Sequence, residues 1–346
     1  MAWSQDVNPL DDKFHPRNDD PWWNESSFIT FRVPERKLMG LLYFYFRPNQ
    51  NHVMAGPMIW DDTGDEFSTC LHTGWDWHMP IPQGADMFDF TLENSFAIET
   101  IEPLVSYRHT YDAPGCSFDL TYTADREPYY MKMADGEVNT GMADFIQEVK
   151  EPVPTGHYEQ YGLMNGTLVV NGETVDVVDA AVLRDRSWGP RKTIQPMNKW
   201  RGSYCFARGS AHNAFNLFSL NQTPWEQDPI EGTTEKVVSG FYVRDGVEGS
   251  LVDGTHRAER GPDGRPLRQI IDAVDHLGRE LHAESELVSF VKWHSLYGDY
   301  MAFWCYSDWT FDGHTRAPGE VQDYFMCRHY SKWMRQKRGS LTAVVV

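Results

Sequence analysis

Alternation of apolar and polar residues with a period of two, interrupted by short clusters of glycine, proline, asparagine and aspartate, restricts the fold of this chain more than any other feature. Ser27–Val33 and Lys37–Arg47 alternate or run apolar and are rich in aromatic and β-branched residues, with Pro34-Glu35-Arg36 as the turn between them. Strand-like runs follow at Val53–Trp60, Met87–Leu92, Ser95–Ile101, Leu104–Tyr111 and Ser117–Thr123. The pattern fades from Arg126 to Pro154, where Met142–Val149 reads as a short helix. It returns in the clearest local signal, a hairpin of Gln160–Val170 and Thr174–Leu183 around Asn171-Gly172. Asn-Gly accepts positive φ at both central positions, which matches the twist of paired strands.

After Trp188-Gly189-Pro190 the alternation restarts at Arg201–Ala207, Ala214–Leu220, Lys236–Val243, Gly249–His256 and Arg268–Asp275. It continues at Glu280–Leu287, Phe290–Ser295, Tyr300–Trp309 and Val321–Arg328, with no long helical periodicity anywhere. Many short strands at this spacing predict an all-β protein with a sandwich or barrel in each half. At 346 residues the chain is long for one core. We therefore expect two domains, 1–190 with an N-terminal arm on the surface through Glu25, and 191–346.

A formal charge of -19 makes nucleic acid and anionic membrane surfaces poor partners. The basic stretch Arg328–Arg338, with Lys332, Arg335, Lys337 and Arg338, reads as a solvated face. No positive stretch followed by an apolar one opens the chain, and Leu38–Phe46 is too short for a membrane helix. Five scattered cysteines, without a C-x-x-C pair, predict neither a disulfide framework nor a structural zinc site and fit a reducing cytoplasm. Nucleotide-loop, serine-hydrolase and zinc-protease motifs are absent.

Three segments carry a family resemblance. They are Asp12-Lys13-Phe14-His15-Pro16 with Trp22-Trp23-Asn24-Glu25, Gly156-His157-Tyr158-Glu159-Gln160-Tyr161-Gly162, and Arg184-Asp185-Arg186-Ser187-Trp188-Gly189-Pro190-Arg191. Together they resemble the superfamily of carotenoid hydratase (hydroxyneurosporene synthase) and the AttH-like proteins, most closely a bacterial branch with an Arg-Asp-x-Ser-Trp-Gly motif. The resemblance implies two lipocalin-like β-barrel domains in tandem. It also implies hydratases, isomerases or cyclases that act on hydrophobic molecules without an organic cofactor, alongside members with no catalysis.

On a strand, Asp185 and Ser187 face one way and Arg184, Arg186 and Trp188 the other, until Gly189-Pro190 breaks the ladder. Asp185 is a general acid if burial raises its pKa, or an ion-paired strut if one of the neighbouring arginines reaches it. Trp188 and Arg191 are candidate substrate contacts. His157, Glu159 and Tyr161 share a face, and a His/Glu pair can shuttle protons near neutrality. The same alternation suits an exposed strand edge.

In His72-Thr73-Gly74-Trp75-Asp76-Trp77-His78 the histidines are roughly 20 Å apart on a straight strand, too far to share one metal ion. The stronger expectation there is proton exchange by Asp76 or His78 in a pocket walled by Trp75 and Trp77, against a loop of packed tryptophans. Tyr107, His109 and Tyr111 alternate on one strand, as do Tyr204 and Phe206, and can hydrogen-bond a substrate oxygen or be satisfied core residues.

These features lead us to expect a cofactor- and metal-independent hydratase, dehydratase or isomerase acting on a small hydrophobic, aromatic or terpenoid-like substrate. The alternative is a non-catalytic binder of such a ligand, and self-association as a homo-oligomer is left open.

Overall fold

The computed structural model describes residues 7–131, 156–191, 201–221, 223–294 and 300–342. Met142–Val149, expected as a helix, lies outside the described residues. Those described form two compact units, one of residues 7–131 and 156–191, the other of residues 201–342.

The first unit contains β1 (Trp23–Val33), β2 (Leu38–Arg47), β3 (His52–Trp60), β4 (His72–Thr73), β5 (Asp76–Pro80) and β6 (Phe90–Thr91). It continues with β7 (Ala97–Glu102), β8 (Ser106–Ala113), β9 (Cys116–Ala124), β10 (Tyr129–Tyr130), β11 (Gly156–Val170) and β12 (Glu173–Pro190). All belong to one 12-stranded sheet whose main path runs β4-β3-β2-β1-β12-β11-β9-β8-β7-β6. The sheet is rolled up, because Phe44 and Phe46 of β2 meet Phe90 of β6 at 5.1 and 5.4 Å in its main core. Every residue of β1 and β2 is buried, so the sheet is covered there on both faces.

The second unit is a closed eight-stranded antiparallel barrel. Its strands are β13 (Arg201–Ser210), β14 (Asn213–Asn221), β15 (Thr234–Arg244), β16 (Val247–Arg260), β17 (Pro266–Asp275), β18 (Glu280–His294), β19 (Tyr300–Phe311) and β20 (His314–Met326). The protein is thus all-β and built from barrel domains, as the alternation predicts.

Four local expectations are corrected. The runs Glu280–Leu287 and Phe290–Ser295 are one strand, β18, interrupted only by a bulge between Leu287 and Ser289. Gly189-Pro190 ends β12 but does not break the ladder before its end: Asn24 pairs with Gly189 and Trp23 with Pro190, the missing N–H falling on the strand's last residue. A helix, α1 (Cys327–Thr342), follows β20 where only a strand end was expected. Tyr330, Trp333 and Met334 give it an apolar stripe at spacings of three and four, and Trp333 is buried in the barrel's core. Lys332, Arg335 and Arg338 stay on its exposed side, as expected, and Lys337 pairs with Glu231. Finally, the N-terminal arm is not simply a surface strap. Its 3-10 turn, Pro9–Asp12, buries Asp12.

His109 on β8 sits between Ile98 and Leu120 of the core, fully buried, with no hydrogen-bond partner at either ring nitrogen among the described residues. Burial first, and the Arg184 charge second, hold its pKa down at about 3, so the ring is neutral. An unpaired buried polar group costs about 1–3 kcal/mol. His109→Leu is therefore expected to raise stability by about 1–3 kcal/mol in denaturant titrations. The unfolded ring takes up a proton near its ordinary 6.5 and the folded ring does not until about 3. The wild type consequently loses stability as pH falls through that window, and the variant loses less.

Candidate active site

β12 separates two polar clusters, one on each face. On the core side, the fully buried Arg184 donates from Nη1 to Asp12 Oδ1 at 3.2 Å and from Nη2 to the Tyr158 hydroxyl at 2.9 Å and to Gln160 Oε1 at 2.8 Å. Its Cζ lies 4.8 Å from the Phe88 ring and 4.6 Å from the Tyr107 ring. The Asp12 carboxylate also accepts from the Tyr107 and Tyr158 hydroxyls and from the Leu104 N–H. Each buried charge here is matched by an opposite charge and several dipoles, which is what makes such a pair tolerable out of water.

Two residues on, Arg186 pairs with Glu25 at 2.5 Å and lies 5.3 Å from the Trp188 ring. Trp188 stacks on His15 at 4.0 Å and 10° and runs its other edge over Gly156. A Cβ on Gly156 would come within 2.1 Å of that ring, so only glycine fits opposite Trp188.

The opposite face carries the second cluster. His157 Nδ1 is 2.5 Å from Ser187 Oγ, and Nε2 is 2.5 Å from Glu159 Oε1. Asp185 Oδ2 is 3.9 Å from His157 Nδ1, while Oδ1 accepts the Phe28 N–H at 2.6 Å and the Asp185 carbonyl accepts the Ser27 hydroxyl. Glu159 and Ser187 are fully buried and Asp185 nearly so. Burial raises the Asp185 carboxyl to about 7; Glu159 adds to this, and His157, the Phe28 N–H and Arg191 oppose it. Burial also lowers His157 to about 4, with Arg191 assisting and Asp185 opposing.

Alternation explains why Asp185 escapes the arginines beside it in sequence. Arg184 and Arg186 point to the other face, where Asp12 and Glu25 meet them. Near neutral pH the cluster therefore holds a neutral imidazole beside a carboxyl that gives up its proton in the same range. With Nε2 protonated toward Glu159, Nδ1 accepts from Ser187, so the carboxylate sets the tautomer.

The structure thus brings together Asp185, His157 and Glu159, with Arg191 buried close enough to act on both titrating groups. Trp188 lies on the other face of the strand. Tyr107 is a core residue bonded to Asp12. Asp76, Trp77 and His78 are exposed on β5, away from this cluster, and His78 packs 5.1 Å from His52. Trp75 is buried against Tyr43. Tyr204 is a buried residue of β13 in the second unit.

His72 Nε2 faces the Tyr111 hydroxyl at 3.3 Å, and no group of three His, Cys, Asp or Glu among the described residues could hold a metal ion. Ser187, Asp12 and Glu25 were assigned no role from the sequence. Ser187 alone left a usable signal, since it alternates with Asp185.

A family model described as Domain of unknown function (DUF7064) matches residues 8–315. The chain belongs to this family. Among the curated proteins none matches. Solved structures with the same fold include kievitone hydratase from Nectria haematococca, at 12% identity and TM-score 0.52, covering 92% of this chain and 91% of that one. A candidate AttH protein from Nitrosomonas europaea follows at 13% identity and TM-score 0.51, with 87% and 92% covered. CghA likewise shows 13% identity and TM-score 0.51, with 88% of each chain covered. At these identities the likeness establishes the fold of the DUF7064 chain and nothing finer. Among its described residues no helix is long and apolar enough to cross a membrane.

Proposed function

We propose that this DUF7064 protein adds or removes water, or moves a double bond, on a small hydrophobic molecule by acid/base chemistry at the Asp185–His157–Glu159–Ser187 cluster. The observation that carries this reading is a buried carboxyl with a pKa near 7, 3.9 Å from a neutral imidazole that a carboxylate orients. An acid poised near the working pH is what protonation of an alkene or enone requires.

In the hydration direction, the Asp185 proton goes to an alkene carbon and leaves a carbocation. Water then attacks the cation and passes its extra proton to His157, from which it returns to the Asp185 carboxylate. Water is consumed, and acid and base end as they began. Glu159 stabilises the transient imidazolium, and Ser187 holds Nδ1 in line. Dehydration is the reverse, and isomerisation loses a carbon-bound proton in place of water attack. The motif resemblance to the carotenoid hydratase superfamily supports this reading, as does the sharing of the fold with a protein named as a hydratase.

Incubating the full chain in heavy-oxygen water with terpenoid alkenes and with kievitone tests it by mass spectrometry. Incorporation of label into product is expected. A compound that binds tightly but gains no label and undergoes no isomerisation would make the protein a binder instead.

A further inference from the structure

We propose that Ser27 is a positioning residue for the acid: its hydroxyl takes the Asp185 carbonyl out of the β1–β12 ladder and so reserves the Phe28 N–H for the Asp185 carboxyl. This role rests on the acid/base chemistry proposed for Asp185. The ladder is split at this point. Trp23 pairs with Pro190, Asn24 with Gly189, Glu25 with Trp188 and Ser26 with Ser187, and pairing resumes at Ile29 with Arg184. The offset is the same on both sides of the gap, so neither strand gains a residue there. Continued through it, the register would set Ser27 opposite Arg186 and Phe28 opposite Asp185, but neither pair belongs to the ladder. Along its other edge β1 runs unbroken, with Ser27 opposite Phe44 and Phe28 opposite Tyr43. The opening is local, and it lies at the proposed acid.

The Phe28 N–H points to β12, so in an unbroken ladder it would bond the backbone carbonyl of Asp185. It donates instead to the carboxyl Oδ1 at 2.6 Å, and the carbonyl accepts from the Ser27 hydroxyl at 2.5 Å. By alternation, position 27 lies on the face of β1 that carries Ile29 and Phe31 into the core. An apolar β-branched residue is the ordinary choice for such a place, yet a fully buried serine stands there. The carbonyl it satisfies accounts for it.

With alanine at 27 the carbonyl loses this partner, and the donor best placed to replace it is the N–H now held by the carboxyl. That exchange would matter to the chemistry in two ways. The Phe28 N–H occupies Oδ1 and leaves Oδ2, 3.9 Å from His157 Nδ1, as the oxygen that carries the transferable proton. It also favours the charged carboxyl, opposing the rise that burial causes. Ser27 touches none of the reacting atoms and acts through the Phe28 N–H alone.

The test follows the Asp185 carboxyl itself and so needs no substrate. In the full chain carrying aspartate labelled at the carboxyl carbon, the Asp185 resonance is assigned by its absence in Asp185→Asn and titrated by NMR. Ser27→Ala is expected to raise its pKa by about one pH unit, since the carboxylate loses the Phe28 N–H. Ser27→Thr keeps the hydroxyl and should titrate as the wild type does. In the wild type the Phe28 amide, observed with labelled phenylalanine, should share the Asp185 inflection, a readout that stands even where Ser27→Ala folds poorly. With a turned-over substrate, Ser27→Ala should lower kcat about tenfold at nearly unchanged KM and move the alkaline limb upward with the carboxyl. The proposal is overturned if Ser27→Ala leaves Asp185 titrating as in the wild type, if Ser27→Thr shifts it as alanine does, or if the Phe28 amide has no inflection in common with it. The expected titrations without turnover of any compound would instead overturn the hydratase reading and leave Ser27 as the residue that places Asp185.

Discussion

Asp185→Asn is expected to lower turnover by roughly 10²–10⁴-fold, the range lost when a positioned proton donor is removed. The measurement is the rate of heavy-oxygen incorporation into whichever compound the wild type hydrates. Asparagine keeps the side-chain oxygen that accepts the Phe28 N–H, so the strand pairing around it is retained. What it loses is the transferable proton. The wild-type rate should fall on the alkaline side with an apparent pKa near 7, because only the protonated carboxyl can act. In the variant that limb should vanish along with most of the rate.

Stability should move the other way. The folded carboxyl titrates at about 7 and the unfolded one at its ordinary 3.8, so the folded state holds its proton more tightly. The contribution of this one group to stability is then greatest below that lower value and is lost as pH rises toward 7. The difference amounts to roughly 4 kcal/mol at 1.36 kcal/mol per pH unit, an order-of-magnitude figure for a buried group. Asparagine does not ionise and avoids that loss. Unaltered turnover with an unaltered pH profile would remove Asp185 from the mechanism.

The second large effect concerns the other face of the same strand. Arg184→Met should destabilise the first unit by about 3–5 kcal/mol, since it leaves the Asp12 carboxylate buried without its counter-charge. The Tyr107 and Tyr158 hydroxyls and the Leu104 N–H remain, but they supply dipoles only. Asp12→Asn/Arg184→Met removes both charges together and should regain a large part of the loss. The interaction energy from this double-mutant cycle, measured by denaturant titration, isolates the pair. A loss below about 1 kcal/mol in Arg184→Met would mean that the phenols alone keep the carboxylate solvated, contrary to the usual cost of an orphaned buried charge.

Much of this protein is legible one strand at a time. Alternation marks β1, β2, β8 and β9, and Asn171-Gly172, with φ of 52° and 82°, forms the predicted turn of the β11–β12 hairpin. It also places Asp185 and Ser187 on the face opposite Arg184 and Arg186, because period two is a property of the backbone itself. Which residues meet across the hairpin is a different matter. Counted straight back from Glu173 opposite Val170, Asp185 would stand opposite Tyr158. The chain instead bulges at Val178-Asp179, where Asp179 has a φ of 46° and its N–H bonds to Asn165 Oδ1. That one extra residue slides the register so that Asp185 faces Glu159 and Ser187 faces His157.

Local pattern determined the β character of the chain, the turn and the side of the strand from which each group projects. Tertiary structure alone decided that Asp12 crosses 172 positions of sequence to neutralise Arg184, that Glu25 does the same for Arg186, and that Asp185 is left apart from both arginines, where burial first and the Glu159 carboxylate next raise its pKa. Spacing along a chain carries no information about such distant pairings, whereas the pKa of this acid is set first by its burial and then by the charged groups the fold brings beside it.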